Sequence, residues 1–372
     1  MLKPAIKFAK EGFLVNQTMA HAFSLLVGIF TLSQTGRDIF CENGTKSLPV
    51  EGDIFTNKDL QSFLSSLSSN GEAAFYSGAI AERIVDDICG FGILTLDDLR
   101  SYRVIEREPL EFWYRGAKIY TNPLPSLGGV LIKSLLQRFE ERYRPSKDGF
   151  EWGNQKHVET MASVMKEVEE HRDNIIDQAR MEADAPFAKV ECSRGTTHIS
   201  VVDSAGNVAS MTTSNGEGSG YIVPSTGVQL NNMLGEDDIH PHGFDIQPAG
   251  VRVTSMMAPT LVVLDEAQNN ILVCGSGGSK RIRTALFQTI VNAVDFQLPL
   301  KDCVALPRLH FENVLHVEPG YPSVALQALN QTFHGGQLNI WERKNLYFGG
   351  THCVTQREAV GDSRRCGCGK VV

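Results

Sequence analysis

The sequence predicts a layered α/β sandwich rather than a run of repeated strand-helix-strand units. Three observations lead there. Apolar residues at helical spacing dominate residues 1 to about 190. Alternating, strand-like patterns begin at residue 196. A glycine-rich loop, GSGG at 275 to 278, then joins a buried strand to an amphipathic helix.

The chain has 372 residues, 42% hydrophobic and 21% charged, enough for a sizeable core without covalent staples. Its net charge of −8 speaks against a nucleic-acid or anionic-membrane partner. No apolar run approaches the roughly 18 residues of a membrane span; the longest candidate is AFSLLVGIFTL at 22 to 32. The first residues, MLKPAIKFAKEGF, lack the apolar stretch of a signal peptide, so a cytoplasmic location is expected. Eight scattered cysteines without a CxxC pair read as reduced, mostly buried thiols. The tail RRCGCGK offers two cysteines, too few for a metal site, and reads as mobile. No cofactor and no metal are expected.

The elements follow in order. KPAIKFAKEGF reads as a helix stopped by Gly12. EAAFYSGAIAERIVDDI places Phe75, Ile80, Ile84 and Ile88 near one face, with a break at Gly90. TLDDLRSY begins with a Thr95 cap and acids in the first turn. FWYRGAKIYTNPLPS reads as a hairpin ending in a proline-punctuated loop. Residues 157 to 177 form one long amphipathic helix, with His171 on the surface. THISVVD and VASMTTS flank the turn SAGN. APTLVVLDEAQNNILVCGSGG reads strand, turn, strand, glycine loop, followed by the helix KRIRTALFQTIVNAVDF.

Several stretches could carry chemistry. The loop CGSGGSKRIRT fails the phosphate-loop pattern; it is either a tight turn or a pair of backbone N–H donors for an oxyanion. NNMLGEDDIHPHGFD could hold an ammonium group or a metal, or be a polar loop with Asx turns. In RGTTHISVVDSAGN a Gly195-Thr196 junction heads a strand, with His198, Asp203 and Asn207 close behind. If the junction were cut, Thr196 would carry a free α-amine, with a reference pKa near ~8, beside its own hydroxyl. That amine can act as the base a weak nucleophile needs.

TTHISVVDSAGN, LNNML, TSMMAPT and GSGGSKRIRTALFQ together resemble the small subunit of the gamma-glutamyltransferases (gamma-glutamyltranspeptidases). PAIKFAKEGFLVN, FYSGAIAERIV, LTLDDLRSYRV and PLPSLGGV resemble the large subunit. The resemblance implies an N-terminal-nucleophile hydrolase with a four-layer αββα core. It implies that a self-cleaving precursor divides into residues 1–195, mainly helical, and 196–372, rich in strands. Thr196 would be the nucleophile. Thr213 and Asn215 would orient it and hold the glutamyl end. Thr254 and Ser255 would meet the substrate α-carboxylate, and the amides of Gly277 and Gly278 the oxyanion. Asp237 or Asp238, or Glu236 beside them, would bind the α-amine. The partners implied are a small γ-glutamyl donor such as glutathione and a water or amine acceptor. Two departures stand out: Met233 occupies the place of a family Glu or Gln after NN, and the chain begins almost on PAIKFAKEGF, where the family has a further segment carrying core strands and a carboxylate-clamping arginine. The alternative is therefore a truncated, non-catalytic relative.

Overall fold

The computed structural model describes residues 1–41, 47–149, 151–183, 195–235, 249–267 and 270–372. The chain forms two compact units, Met1–Glu106 with Asn215–Asn232, and Arg107–Ser214 with Met233–Val372.

The first unit is mainly helical. Helix α1 (Lys3–Glu11) ends at Gly12, whose φ of 87° is open to glycine. It packs on α2 (Lys58–Asn70). Asn57 caps α2 by accepting a 2.9 Å bond from Leu60 N. Helix α3 (Ala79–Ile88) buries Ile84 and Ile88 against Val223 and stops just before Gly90, at φ 101°. Thr95 and Asp98 form a reciprocal capping box on the next helix.

The second unit holds a six-stranded antiparallel sheet. Strands β1 (Leu110–Tyr114) and β2 (Ala117–Thr121) are the expected hairpin. Arg115 and Gly116 close it, both at positive φ, which matches the twist of the strands. Helix α4 (Leu127–Arg142) follows. The single helix expected over 157 to 177 is two, α5 (Gln155–Glu170) and α6 (Arg172–Ala183), parted at His171. His171 is exposed, as its polar surroundings require. Then come the hairpin β3 (Thr196–Val202) and β4 (Val208–Ser214), strands β5 (Thr260–Asp265) and β6 (Asn270–Gly277), helix α7 (Arg281–Val294), and strands β7 (Gly350–Val354) and β8 (Ala359–Val360). The sheet order is β8-β7-β6-β5-β2-β1.

The two faces of β6 explain the layering. Leu272 and Cys274 point into the main apolar core, which they share with Leu131, Leu135 and Phe139 of α4 and Leu286, Phe287 and Ile290 of α7. Gly275 and Gly277, of opposite parity, face the β3–β4 hairpin, which packs on β6 and β7. Their missing side chains let the two layers approach: a Cβ at Gly275 would lie 2.1 Å from the His198 ring. The hairpin carries polar residues inward (Thr196, His198, Ser200, Thr212, Ser214) and apolar ones outward, where Ile199 and Met211 are exposed.

Of the described cysteines, Cys41, Cys274, Cys303 and Cys353 are buried and Cys89, Cys366 and Cys368 exposed. The C-terminal tail is packed against the sheet: a Cβ on Gly367 would meet the His352 ring at 2.1 Å, and one on Gly369 the Ala359 carbonyl oxygen at 2.0 Å. Its glycines are there for close approach, not for mobility. Among the described residues no helix is long and apolar enough to cross a membrane, and no group of three or more His, Cys, Asp or Glu is arranged to hold a metal.

Candidate active site

Thr196 is the first residue of β3 and is 6% exposed. Antiparallel register sets it opposite Ser214 on β4. The Thr196 hydroxyl donates to Ser214 Oγ at 3.2 Å, and Ser214 Oγ donates to the Gly195 carbonyl oxygen at 3.2 Å. One hydroxyl thus links the threonine oxygen to the carbonyl of the peptide bond before it. On the other side, Gly277 lies against Thr196: a Cβ there would sit 2.3 Å from the Thr196 carbonyl oxygen.

The Gly277–Gly278–Ser279 turn joins β6 to α7. Gly278 has φ 125° and Ser279 φ 57°, and a Cβ on Gly278 would fall 2.8 Å from Gly349 Cα. The first position is therefore closed to side chains on both conformational and steric grounds. The turn opens the 14-residue helix α7, which has no side-chain cap; its first amides close onto the turn, Arg281 N donating to Gly278 O and Ile282 N to Ser279 O, each at 3.0 Å.

Thr196, Ser214, Met233, Ser255, Met256 and Ser279 line one tight cavity. Ser255 is held by its backbone: its carbonyl oxygen accepts from Leu127 N at 2.7 Å and from Ser126 Oγ at 3.3 Å. Thr254 is buried beside it, 1% exposed. Thr213 pairs with Thr197, and both side chains lie on the exposed face of the hairpin. Asn215 belongs to the first compact unit, where its Nδ2 donates to Gln229 O at 3.4 Å. Asp237, Asp238 and Glu236 lie outside the described residues. Asp203 and Asn207 are at the far end of the hairpin, where the Asp203 carboxylate accepts from Ala205 N, Asn207 N and Asn207 Nδ2 and closes the turn.

The structure thus brings together Thr196, Ser255 and the Gly277–Gly278 turn. It adds two groups that motif reading passed over, Ser214 and Ser126. Ser214 was readable from strand parity, since positions 196 and 214 of a hairpin turning at 204 to 207 face each other. Below Thr196 on the same face, His198 bonds Thr212 Oγ1 at 2.8 Å and Ser200 Oγ at 2.7 Å. Burial, aided by His352 nearby, pushes the His198 pKa down to about 4, so the ring is neutral at pH 7.

The family model "Gamma-glutamyltranspeptidase" matches residues 1–190 and 178–371. The chain is 30% identical to a glutathione hydrolase proenzyme of Bacillus subtilis (strain 168), over 90% of this chain and 64% of the relative. It is 29% identical to the glutathione hydrolase proenzyme of Escherichia coli (strain K12), over 88% of this chain and 64% of that one. The chain therefore spans less than two thirds of the length of these relatives. Its fold matches the crystal structure of a cephalosporin acylase from Bacillus halodurans with a TM-score of 0.76, at 23% identity, over 98% of this chain and 72% of that one. The likeness is one of fold, a layered α/β arrangement of the kind the sequence led us to expect. With the family model spanning nearly every residue, this chain belongs to the gamma-glutamyltranspeptidase family.

Proposed function

We propose that the chain is a self-processing γ-glutamyl hydrolase or transferase that works through an N-terminal threonine. The observation that carries this reading is the Ser214 bridge between Thr196 Oγ and the Gly195 carbonyl oxygen. In maturation Thr196 Oγ attacks the Gly195 carbonyl carbon and its proton passes to the Thr196 nitrogen as the C–N bond breaks. Ser214 donates to the oxygen that becomes negative on the way. Water then opens the ester, leaving the Gly195 carboxylate and a free Thr196 amine. The products are residues 1–195 and 196–372.

The second compact unit supports a stable pair of products. Strands β1 and β2 and helices α4 to α6 precede the junction, yet they share one sheet and one core with β5, β6 and α7, which follow it. The pieces stay together by apolar burial without a covalent link.

In turnover the Thr196 amine takes the Oγ proton while Oγ attacks the γ-carbonyl of a glutathione-like donor. The tetrahedral oxygen is met by the Gly277 and Gly278 amides. Collapse expels the leaving amine with that proton, and water or a second amine takes the acyl group from Thr196. Thr254 and Ser255 receive the donor's α-carboxylate, and one of Asp237, Asp238 and Glu236 serves its amino end; Thr213, turned outward with Thr197, takes no part on the Thr196 face. The relatives named glutathione hydrolase support this choice of donor.

One observation favours a non-catalytic relative instead: Met233, not a polar residue, lines the cavity beside Thr196. Hydrolysis of γ-glutamyl-p-nitroanilide by the parent chain and by Thr196→Ala separates the two. The enzyme reading expects release of nitroaniline by the parent alone; equal background rates from both proteins would sink it.

A further inference from the structure

Arg365 lies behind the Gly277–Gly278 turn. Its stem crosses Gly350 on β7, where a Cβ would fall 2.5 Å from Arg365 Cδ. Its guanidinium ends at the turn: a Cβ on Gly277 would be 3.3 Å from Nη1, and one on Gly278 3.4 Å from Nη2. That same Cβ on Gly277 would sit 2.3 Å from the Thr196 carbonyl oxygen. Nη1 and Thr196 therefore lie no farther apart than those two distances together. Three glycines leave a backbone-lined slot that this one side chain fills.

The neighbouring arginines have counter-ions. Arg308 pairs with Asp362 at 2.7 Å, and Arg364 with Glu318 at 2.5 Å and Asp362 at 3.2 Å. Arg365 has no ion pair among the described residues, and its Nε is buried without a hydrogen-bond partner. Burial, with Arg281 and Arg308 nearby and the Asp362 carboxylate opposing them, pushes its pKa down to about 10, so it is still a cation at neutral pH. The residue as a whole is partly exposed, and a partly buried cation without an ion-pair partner still carries a desolvation cost. It is tolerated where negative charge arises.

The other charged groups around Thr196 do not supply that charge. On its own strand His198 is neutral, and β4 offers only the hydroxyls of Thr212 and Ser214. From β7, burial lowers the pKa of His352. At the start of α7, Lys280 pairs with Glu312 at 2.8 Å, and Arg281 lies 4.0 Å from the same carboxylate and over the Tyr347 ring. Asp362, three residues before Arg365, is held by Arg308 and Arg364.

We propose that Arg365 is a positioning residue for acyl transfer at Thr196, its charge acting through the Gly277–Gly278 turn to stabilise the oxyanion. The inference rests on the proposed role of Thr196. The same field disfavours protonation of the Thr196 amine after maturation, which keeps more of it as free base near neutral pH.

The test uses the full chain, with γ-glutamyl-p-nitroanilide as donor and kcat and KM measured from pH 5 to 9. Arg365→Met is expected to lower kcat about tenfold, to leave KM within about twofold, and to move the acidic limb of the profile up by about 1.5 to 2 pH units, the size of one cation about 6 to 8 Å away in a medium of effective dielectric ~20. Arg365→Lys keeps the charge and should recover most of kcat and the parent pH limb. The inference is overturned if Arg365→Met keeps the parent kcat and profile. It is overturned equally if Met and Lys variants lose the same activity with the same drop in melting temperature, which marks a packing role. Failure of the Thr196 reading looks different: turnover would then survive Thr196→Ala, whatever residue 365 is.

Discussion

Replacing Gly277 by alanine probes the contact between the two sheet layers at the site. The added Cβ would stand 2.3 Å from the Thr196 carbonyl oxygen and 3.1 Å from its carbonyl carbon. Real Cβ contacts do not fall below 3.0 Å, so something must move by most of an ångström. Both atoms are backbone, and neither can rotate away. Strand β3 must therefore lift from β6 at its first residue, which is where Thr196 meets Ser214. Overpacking of this kind costs about 1 to 3 kcal/mol. A shift near 1 Å at a reacting group costs about 10²-fold in rate. Gly277→Ala should then lower the melting temperature by several degrees and slow cleavage at 195/196 about 10- to 100-fold, read by denaturing gel after synthesis. Gly28→Ala is the control. That glycine is helical and a Cβ there meets nothing within 4 Å, so the change should be neutral or stabilising by up to about 1 kcal/mol. A Gly277→Ala protein that melts and cleaves like the parent would refute the claim that this glycine holds the layers in contact.

Three other outcomes are expected. Gly278→Val, at φ 125° and facing Gly349 Cα, should lower acylation by a γ-glutamyl anilide about 10²-fold, and unchanged turnover in a folded variant would remove the turn from the reaction. Ser214→Ala should slow self-cleavage about tenfold, the worth of a hydrogen bond to a charged oxygen, and a normal rate would show that the bridge is idle. Acid should destabilise the protein early: burial lowers His157 to about 3 and His198 to about 4, so the unfolded chain binds these protons first. Their stability contribution is full above the unfolded pKa of ~6.5 and shrinks as pH falls toward the folded values, by about 1.4 kcal/mol per histidine per pH unit. Urea midpoints at pH 7.5 and 5 should differ accordingly; equal midpoints would contradict neutral burial of the two rings.

Local features were legible in the sequence because their causes are local. Thr95 with Asp98 and the Arg115-Gly116 turn each act through neighbours in the chain. Partnerships across the chain were not. Nothing in FWYRGAKIYT announces that β2 pairs with β5, some 140 residues later, or that Asn215–Asn232 joins the N-terminal unit. Side-chain parity decided the finer points of the site. A shift of one position along β4 turns a side chain to the other face, so Thr213 lies outward with Thr197 while Ser214 meets Thr196. Arg365 was hidden for another reason. The tail read as mobile from its glycines, but those at 367 and 369 are small because His352 and the Ala359 carbonyl lie against them.

The most direct test of the central claim is the mass and N-terminal sequence of the purified protein, for the parent chain and for Thr196→Ala. The account predicts two chains from the parent, residues 1–195 and 196–372, the smaller beginning Thr-Thr-His-Ile-Ser, and one uncut chain from the variant. A parent chain that stays whole over days at its working temperature, or a variant that still divides between residues 195 and 196, would contradict it.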